Sequence, residues 1–243
     1  MDRRKNQIHE KFIAEDLQQM EAARNYNQWL FSLVSPYLGK KVIEVGPGLG
    51  TMTQQILSLP GTEKYLGIEP NLDCFEVLMN RYGGTSGFMC LNTSIEAFNI
   101  DELKGENFDT VVSVNVLEHI QNDVEMVKAI TRVLGPGGKI VFLIPAIPWA
   151  FGDIDKAVGH YRRYSVKMVH NLFKLANIKV EKVHFANFPG LLGWLYNTKV
   201  SIKHQQDDQQ IGLFDKLVPF IRKVENIVLP PIGLSIVAVG RIQ

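Results

Sequence analysis

Three glycines at alternate positions, Gly46, Gly48 and Gly50, follow the run "VIEV" (Val42 to Val45) and precede a stretch of helical period beginning at Thr51. A helix that opens behind such a turn presents unpaired backbone N–H groups and the positive end of its dipole, which favours close approach of an anionic or polar ligand group. The G-x-G-x-G spacing has Thr51 where a dinucleotide fingerprint carries its third glycine or an alanine, and no Lys-Ser/Thr pair marks a phosphate loop. Glu44 stands just before the turn. Glu69 ends the next strand-like run, at the separation where a carboxylate bonds a ribose diol. A ligand with both a ribose and a cationic group would engage both acids.

Two other stretches hold titratable groups suited to chemistry. "LEHI" carries Glu118 and His119, and "DIDKAVGHYRRYS" packs Asp153, Asp155, His160, Tyr161, Arg162, Arg163 and Tyr164 into one segment. His160 is a candidate general base. Arg162 and Arg163, with Tyr164, are candidates to grip a substrate carboxylate or phosphate. The competing structural reading pairs the arginines with Asp153 and Asp155 to fix the loop. His119 is a second catalytic candidate, against the reading that it opens a helix and braces the ligand pocket, with Glu118 as a carboxylate at that helix N-terminus.

The elements that must position these groups follow from periodicity. Residues from about Ile8 to Tyr37, including Phe12, Ile13, Leu17, Met20, Trp29, Leu30 and Leu33, have helical spacing. Strand-like runs "KKVIEV", "KYLGIE", "GFMCLN" and "FDTVVSVN" then alternate with helical segments at Thr51–Leu59 and Leu72–Arg81, which predicts a parallel, doubly wound sheet. A helix over Asp123–Leu134 is expected to stop at "GPGG", with "KIVFLIP" as the fifth strand. "IKVEKVHFAN" and "LSIVAVGRI" predict a terminal antiparallel hairpin. Between them, 188–231 reads as an insertion with two apolar stretches around the polar "KHQQDDQQ", the tract best suited to disorder, and Trp194 in the first stretch is a candidate to roof the substrate.

The 243 residues, 46% apolar and 21% charged, describe one globular domain. We divide it into an N-terminal helical lid (1–38), a cofactor-binding core (39–187), a helical cap (188–231) and a final strand (232–243). A formal net charge of +1 gives no global attraction to nucleic acid, so no nucleic-acid partner is expected. No apolar run follows the basic residues of "MDRRKNQIHEKF", and none reaches about 18 residues; a cytoplasmic chain is expected. Cys74 and Cys90 lack metal-site spacing, and no metal is expected.

"VIEVGPGLG", "YLGIEP", "FDTVVSVNVLEHI" and "RVLGPGGKIVFLIP", in that order, resemble the successive motifs of class I S-adenosylmethionine-dependent methyltransferases over roughly Tyr26 to Pro145. "GHYRRY" is similar to a GHxRRY segment after the fifth strand in one bacterial branch of that family. The resemblance implies a Rossmann-like, doubly wound α/β sheet of seven strands with the last reversed. It also implies S-adenosylmethionine as donor and S-adenosylhomocysteine as product. Under it, Glu44, Gly46, Gly48 and Gly50 line the methionine and ribose part, and Glu69 holds the ribose hydroxyls with Pro70 and Asn71 beside it. Thr93, Ser94 and Ile95 border the adenine, Asn115 and Val116 face the methionine moiety, and Tyr26 comes from a helix closing over the cofactor. Pro47 departs from many members and removes one N–H from the turn.

The activity this implies is methyl transfer to a small-molecule acceptor, with O-methylation ranked ahead of N- or C-methylation. Peripheral contact with a membrane or a lipid-linked acceptor ranks lower, and oligomeric state is open. The alternatives are a non-catalytic S-adenosylmethionine-binding regulatory or scaffold protein and a nicotinamide-dependent oxidoreductase.

Overall fold

The computed structural model describes residues 21–196 and 208–243, with the side chains of 208–211 left out. The helical expectation at Phe12, Ile13, Leu17 and Met20 therefore lies outside the described residues. So does the 203–207 part of "KHQQDDQQ"; from Asp208 onward the tract belongs to a helix.

Seven strands form one sheet: β1 (Lys41–Val45), β2 (Lys64–Ile68), β3 (Phe88–Leu91), β4 (Phe108–Val114), β5 (Leu134–Pro145), β6 (Ile178–Ala186) and β7 (Ser235–Ile242). Their spatial order is β3-β2-β1-β4-β5-β7-β6, with β7 antiparallel to both β5 and β6 and the other pairs parallel. This is the doubly wound sheet with reversed last strand expected above. Because side chains alternate across a strand, Ile43, Val45, Leu66, Ile68, Ile140 and Phe142 enter one apolar layer, and Val42, Tyr65, Val141 and Leu143 enter the other. Helices α4 (Asp123–Thr131) and α6 (Val166–Leu175) cover the first face through Val127, Ile130, Val169 and Phe173. The second is covered by α1 (Arg24–Val34), α2 (Thr51–Leu57) and α3 (Leu72–Tyr82), through Leu30, Val34, Met52, Ile56 and Leu78.

Two boundaries differ from expectation. Helix α4 ends at Thr131, and the fifth strand starts at Leu134, ahead of "GPGG", because buried Leu134 pairs with Phe108 in the sheet before the register shifts. His119 opens no long helix; it closes a single 3-10 turn, Leu117–His119.

The insertion forms α7 (Phe188–Tyr196) and α8 (Asp208–Ile227), while a short helix, α5 (Asp153–Ala157), follows the fifth strand. Helix α8 lies on α1, where Trp29, Val218 and Ile221 make a separate buried cluster. The first turn of α1 has no capping side chain of its own, since Ala23 holds the N-cap position. Asp215 of α8 takes that role, accepting the Tyr26 N–H at 2.8 Å and the Asn25 side-chain amide at 3.1 Å. Glu225, also on α8, caps α7 by accepting the N–H groups of Asn187 and Phe188, each at 2.9 Å. Among the described residues, no helix is long and apolar enough to cross a membrane.

Asp215→Ala removes the cap of α1 and its tie to α8. Chemical denaturation is expected to show a loss of about 0.5–2 kcal/mol; an unchanged midpoint would show that this cap does not hold α1.

Candidate active site

Parallel pairing sends the carboxyl ends of β1, β2, β4 and β5 to one sheet edge, where the backbone is freed from the ladder. At the end of β1 the chain turns through Gly46 (φ +70°), Gly48 (+56°) and Gly50 (+87°), all in the left-handed region that side chains disfavour. A Cβ on Gly46 would also stand 2.5 Å from Val116 Cγ2, so the turns after β1 and β4 are packed together. A Cβ on Gly50 would meet Leu78 and Tyr82 of α3.

Glu69, 4% exposed, links β2 to this turn. Its Oε2 accepts the Gly48 N–H at 2.8 Å and its Oε1 the Asn71 N–H at 2.9 Å. Burial raises its pKa, and those two backbone bonds act against the rise. Each oxygen keeps a further lone pair, which is what a ribose diol requires of its carboxylate. Asn71 also caps α3, with Oδ1 accepting the Cys74 N–H at 3.0 Å, and Pro70 is exposed beside it. After β3, Thr93 and Ser94 are half-buried, and the Ser94 hydroxyl accepts the Ala97 N–H. After β4, Asn115 is exposed in a left-handed conformation (φ +54°), with Val116 beside it. These residues gather on the same edge and suit a nucleoside with a polar tail.

Several expected contacts take other positions. Glu44 is 3% exposed and spends Oε2 in the core, on the Tyr65 hydroxyl at 2.6 Å and the Thr53 hydroxyl at 2.9 Å. Through that oxygen it ties α2 to β2, and burial pushes its carboxyl up to about 7. Ile95 is a core residue. Tyr26 sits between α1 and α8, edge-on to Trp29 and Phe214, with its hydroxyl accepting from Asn187. Burial pushes that phenol up to about 12.

The segment after β5 is held by a buried carboxylate. Asp155 accepts from Arg163 Nε at 2.8 Å and from the Gly152 N–H at 2.9 Å, and its Oδ1 lies 2.8 Å from His160 Nδ1. Burial opposes ionisation here, but hydrogen bonds from His160 and Arg163 win and hold the carboxyl below its usual range. Arg163, 3% exposed, is further covered by the Trp194 ring at 4.0 Å. Tyr164, 1% exposed, donates its hydroxyl to Asp123. Arg162 pairs with Asp123 and donates to the carbonyls of Ile120 and Gln121. The expectation that Arg163 and Tyr164 grip substrate is corrected accordingly, since both are buried in these pairs; Arg162, engaged on Asp123, and Trp194, on Arg163, stay partly exposed. The structural alternative was right about Asp155, while Asp153 pairs with Lys156 instead.

What the loop does present is histidine. The rings of His119, exposed, and His160 meet edge to face with centroids 4.6 Å apart. Behind them lies Glu118, fully buried, with its carboxyl pushed up to about 8 by burial. In sequence Glu118 reads as a helix-terminus carboxylate; only the fold places it behind both histidines.

Residues 43–140 match the family model described as "Methyltransferase domain". Over those residues the chain is similar to methyltransferase domains. A tRNA U34 carboxymethyltransferase of Hydrogenovibrio crunogenus is 30% identical over 53% of this chain and 40% of its own length. The mitochondrial ubiquinone biosynthesis O-methyltransferase of Dictyostelium discoideum is 29% identical over 43% and 35%. The chain thus spans well under half the length of these curated relatives. Among solved structures, a chain in the complex of the Haloferax volcanii Trm112 methyltransferase activator with a methyltransferase aligns at TM-score 0.67, with 14% identity over 97% of this domain's chain and 96% of that one. Haemonchus contortus phosphoethanolamine N-methyltransferase 2, solved with S-adenosyl-L-methionine, aligns at 0.60, with 16% identity over 90% and 53%.

The relatives named for tRNA overturn the expectation of no nucleic-acid partner. Net charge is a sum over the whole chain, and a local group of lysines and arginines can meet phosphates in a chain whose total is near zero.

The buried Glu44 gives a pH signature. Its folded pKa of about 7 lies above the ordinary 4.5, so the folded protein keeps a proton that the unfolded chain releases. Its contribution is present below about 4.5 and lost by about 7, at up to about 1.4 kcal/mol per pH unit. Denaturation of wild type and Glu44→Gln across that window is expected to show wild type losing ground as pH rises. Parallel profiles would contradict the assignment.

Proposed function

We propose that the domain is an S-adenosylmethionine-dependent methyltransferase, with a nucleoside of RNA as the acceptor class. The observation that carries the donor half is Glu69, seated on the Gly48 N–H at the end of β2 with lone pairs left for a diol. Gly46, Gly48, Asn71, Thr93, Ser94, Asn115 and Val116 border the same edge and are proposed to hold the rest of the cofactor. S-adenosylmethionine supplies a methyl group on a sulfonium, a leaving group that needs no protonation. The chain's part is then alignment, for which positioning is worth up to about 7–11 kcal/mol. An acceptor with an acidic proton also needs a base. His160, oriented by Asp155, and His119, exposed beside it, are the proposed candidates, with an effect of about 10²- to 10⁴-fold.

The RNA acceptor rests on the names of the tRNA relatives, and the O-methyltransferase relative makes a phenolic small molecule the comparison acceptor. Calorimetry is expected to show binding of S-adenosylmethionine and S-adenosylhomocysteine, weakened about 10- to 100-fold in Glu69→Ala through loss of charge-assisted hydrogen bonds. With methyl-labelled donor, label is expected to enter bulk tRNA. Label entering only phenolic acceptors overturns the RNA assignment. Cofactor binding without S-adenosylhomocysteine formation on any acceptor favours the scaffold alternative, and no cofactor binding by folded protein overturns the whole reading.

A further inference from the structure

Glu118 and His119 on the turn after β4, and His160 on the loop after α5, each bring a ligand-type atom within 4.8 Å of the other two. Asp155 Oδ1 lies 2.8 Å from His160 Nδ1 and accepts its proton. In the neutral imidazole, that bond leaves Nε2 as a bare lone pair. Nε2 lies 3.8 Å from Glu118 Oε1. Neither carboxylate oxygen of Glu118 has a hydrogen-bond partner, although the side chain is 0% exposed. A ring nitrogen thus faces a buried carboxyl that no protein donor or acceptor satisfies. A buried polar group of this kind costs free energy unless it is partnered, and a cation bound among the three donors would partner it.

We propose that Glu118, His119 and His160 form a binding site for one divalent transition-metal ion. Two imidazoles and a carboxylate are the donor set of open zinc and non-haem iron sites, in which three protein ligands leave positions for water or substrate. Asp155 supplies the carboxylate that stands behind a ligating histidine, fixing its tautomer and ring orientation. At metal–ligand distances of about 2.0–2.2 Å the donors would stand roughly 3.0–3.5 Å apart, so closure needs movements of about an ångström. His119, on the exposed rim, would make most of that movement. Cysteine spacing pointed to no metal in this chain; the donors here come from segments far apart in sequence, and only the fold brings them together.

The site stands apart from the methyl-donor reading, because the metal is measured on the protein alone. Untagged protein is stripped with a chelator, dialysed and titrated with Zn²⁺ by calorimetry, with thermal unfolding followed in parallel. One equivalent is expected to bind and raise the unfolding temperature. His119→Ala and Glu118→Gln are each expected to weaken binding at least tenfold, and Co²⁺ is expected to give the visible absorption of a low-symmetry site in wild type only. No saturable Zn²⁺ binding, or binding unchanged by His119→Ala, overturns the proposal. Should Glu118→Gln fail to fold, the exposed His119→Ala decides alone.

Discussion

Parallel pairing of β1, β2, β4 and β5 is the constraint on which the candidate site depends. It delivers four strand ends to one edge, where each leaves backbone donors and acceptors that must be satisfied outside the ladder. The turn after β1 meets this need with left-handed glycines and with Glu69, whose carboxylate takes N–H groups from two different turns. Since β7 and β6 complete the sheet antiparallel, the insertion between them leaves from this same edge, starting at Asn187. Helices α7 and α8 are then tied down by acids of α8, which cap α7 and α1.

The loop after β5 depends on Asp155. One buried carboxylate holds Arg163, orients His160 and closes its own loop through the Gly152 N–H. The Tyr161 N–H bonds the Glu118 carbonyl, and Tyr164 exchanges backbone bonds with Pro145 and Ile147 at the end of β5. Arg163 and Tyr164, which look like ligand-binding groups in sequence, are thereby spent on rigidity. What they hold in place is the pair of imidazoles above Glu118.

Strand order, the glycine turn and Glu69 were legible in the sequence because each is local: alternation of apolar residues, a run of small residues and one acid at a strand end. Glu44 shows the limit. Its position in the motif is correct, but the direction of its side chain depends on Tyr65 and Thr53, which lie on other elements. The same holds for Arg162, whose partner Asp123 opens α4, and for Tyr26, whose surroundings come from α8. Motif order places residues at the strand ends well, since those positions follow the strands. Charge pairing across loops is decided in three dimensions, and spacing does not encode it.

A structure of the chain with S-adenosylhomocysteine bound tests the central claim most directly. The account predicts the ribose hydroxyls on Glu69, the sulfur near Asn115 and Val116, and the space beyond it bordered by His119 and His160. A ligand lodged instead in the groove between α1 and α2, against Asn27, Gln54 and Arg81, or a sulfur directed away from the histidines, would contradict it.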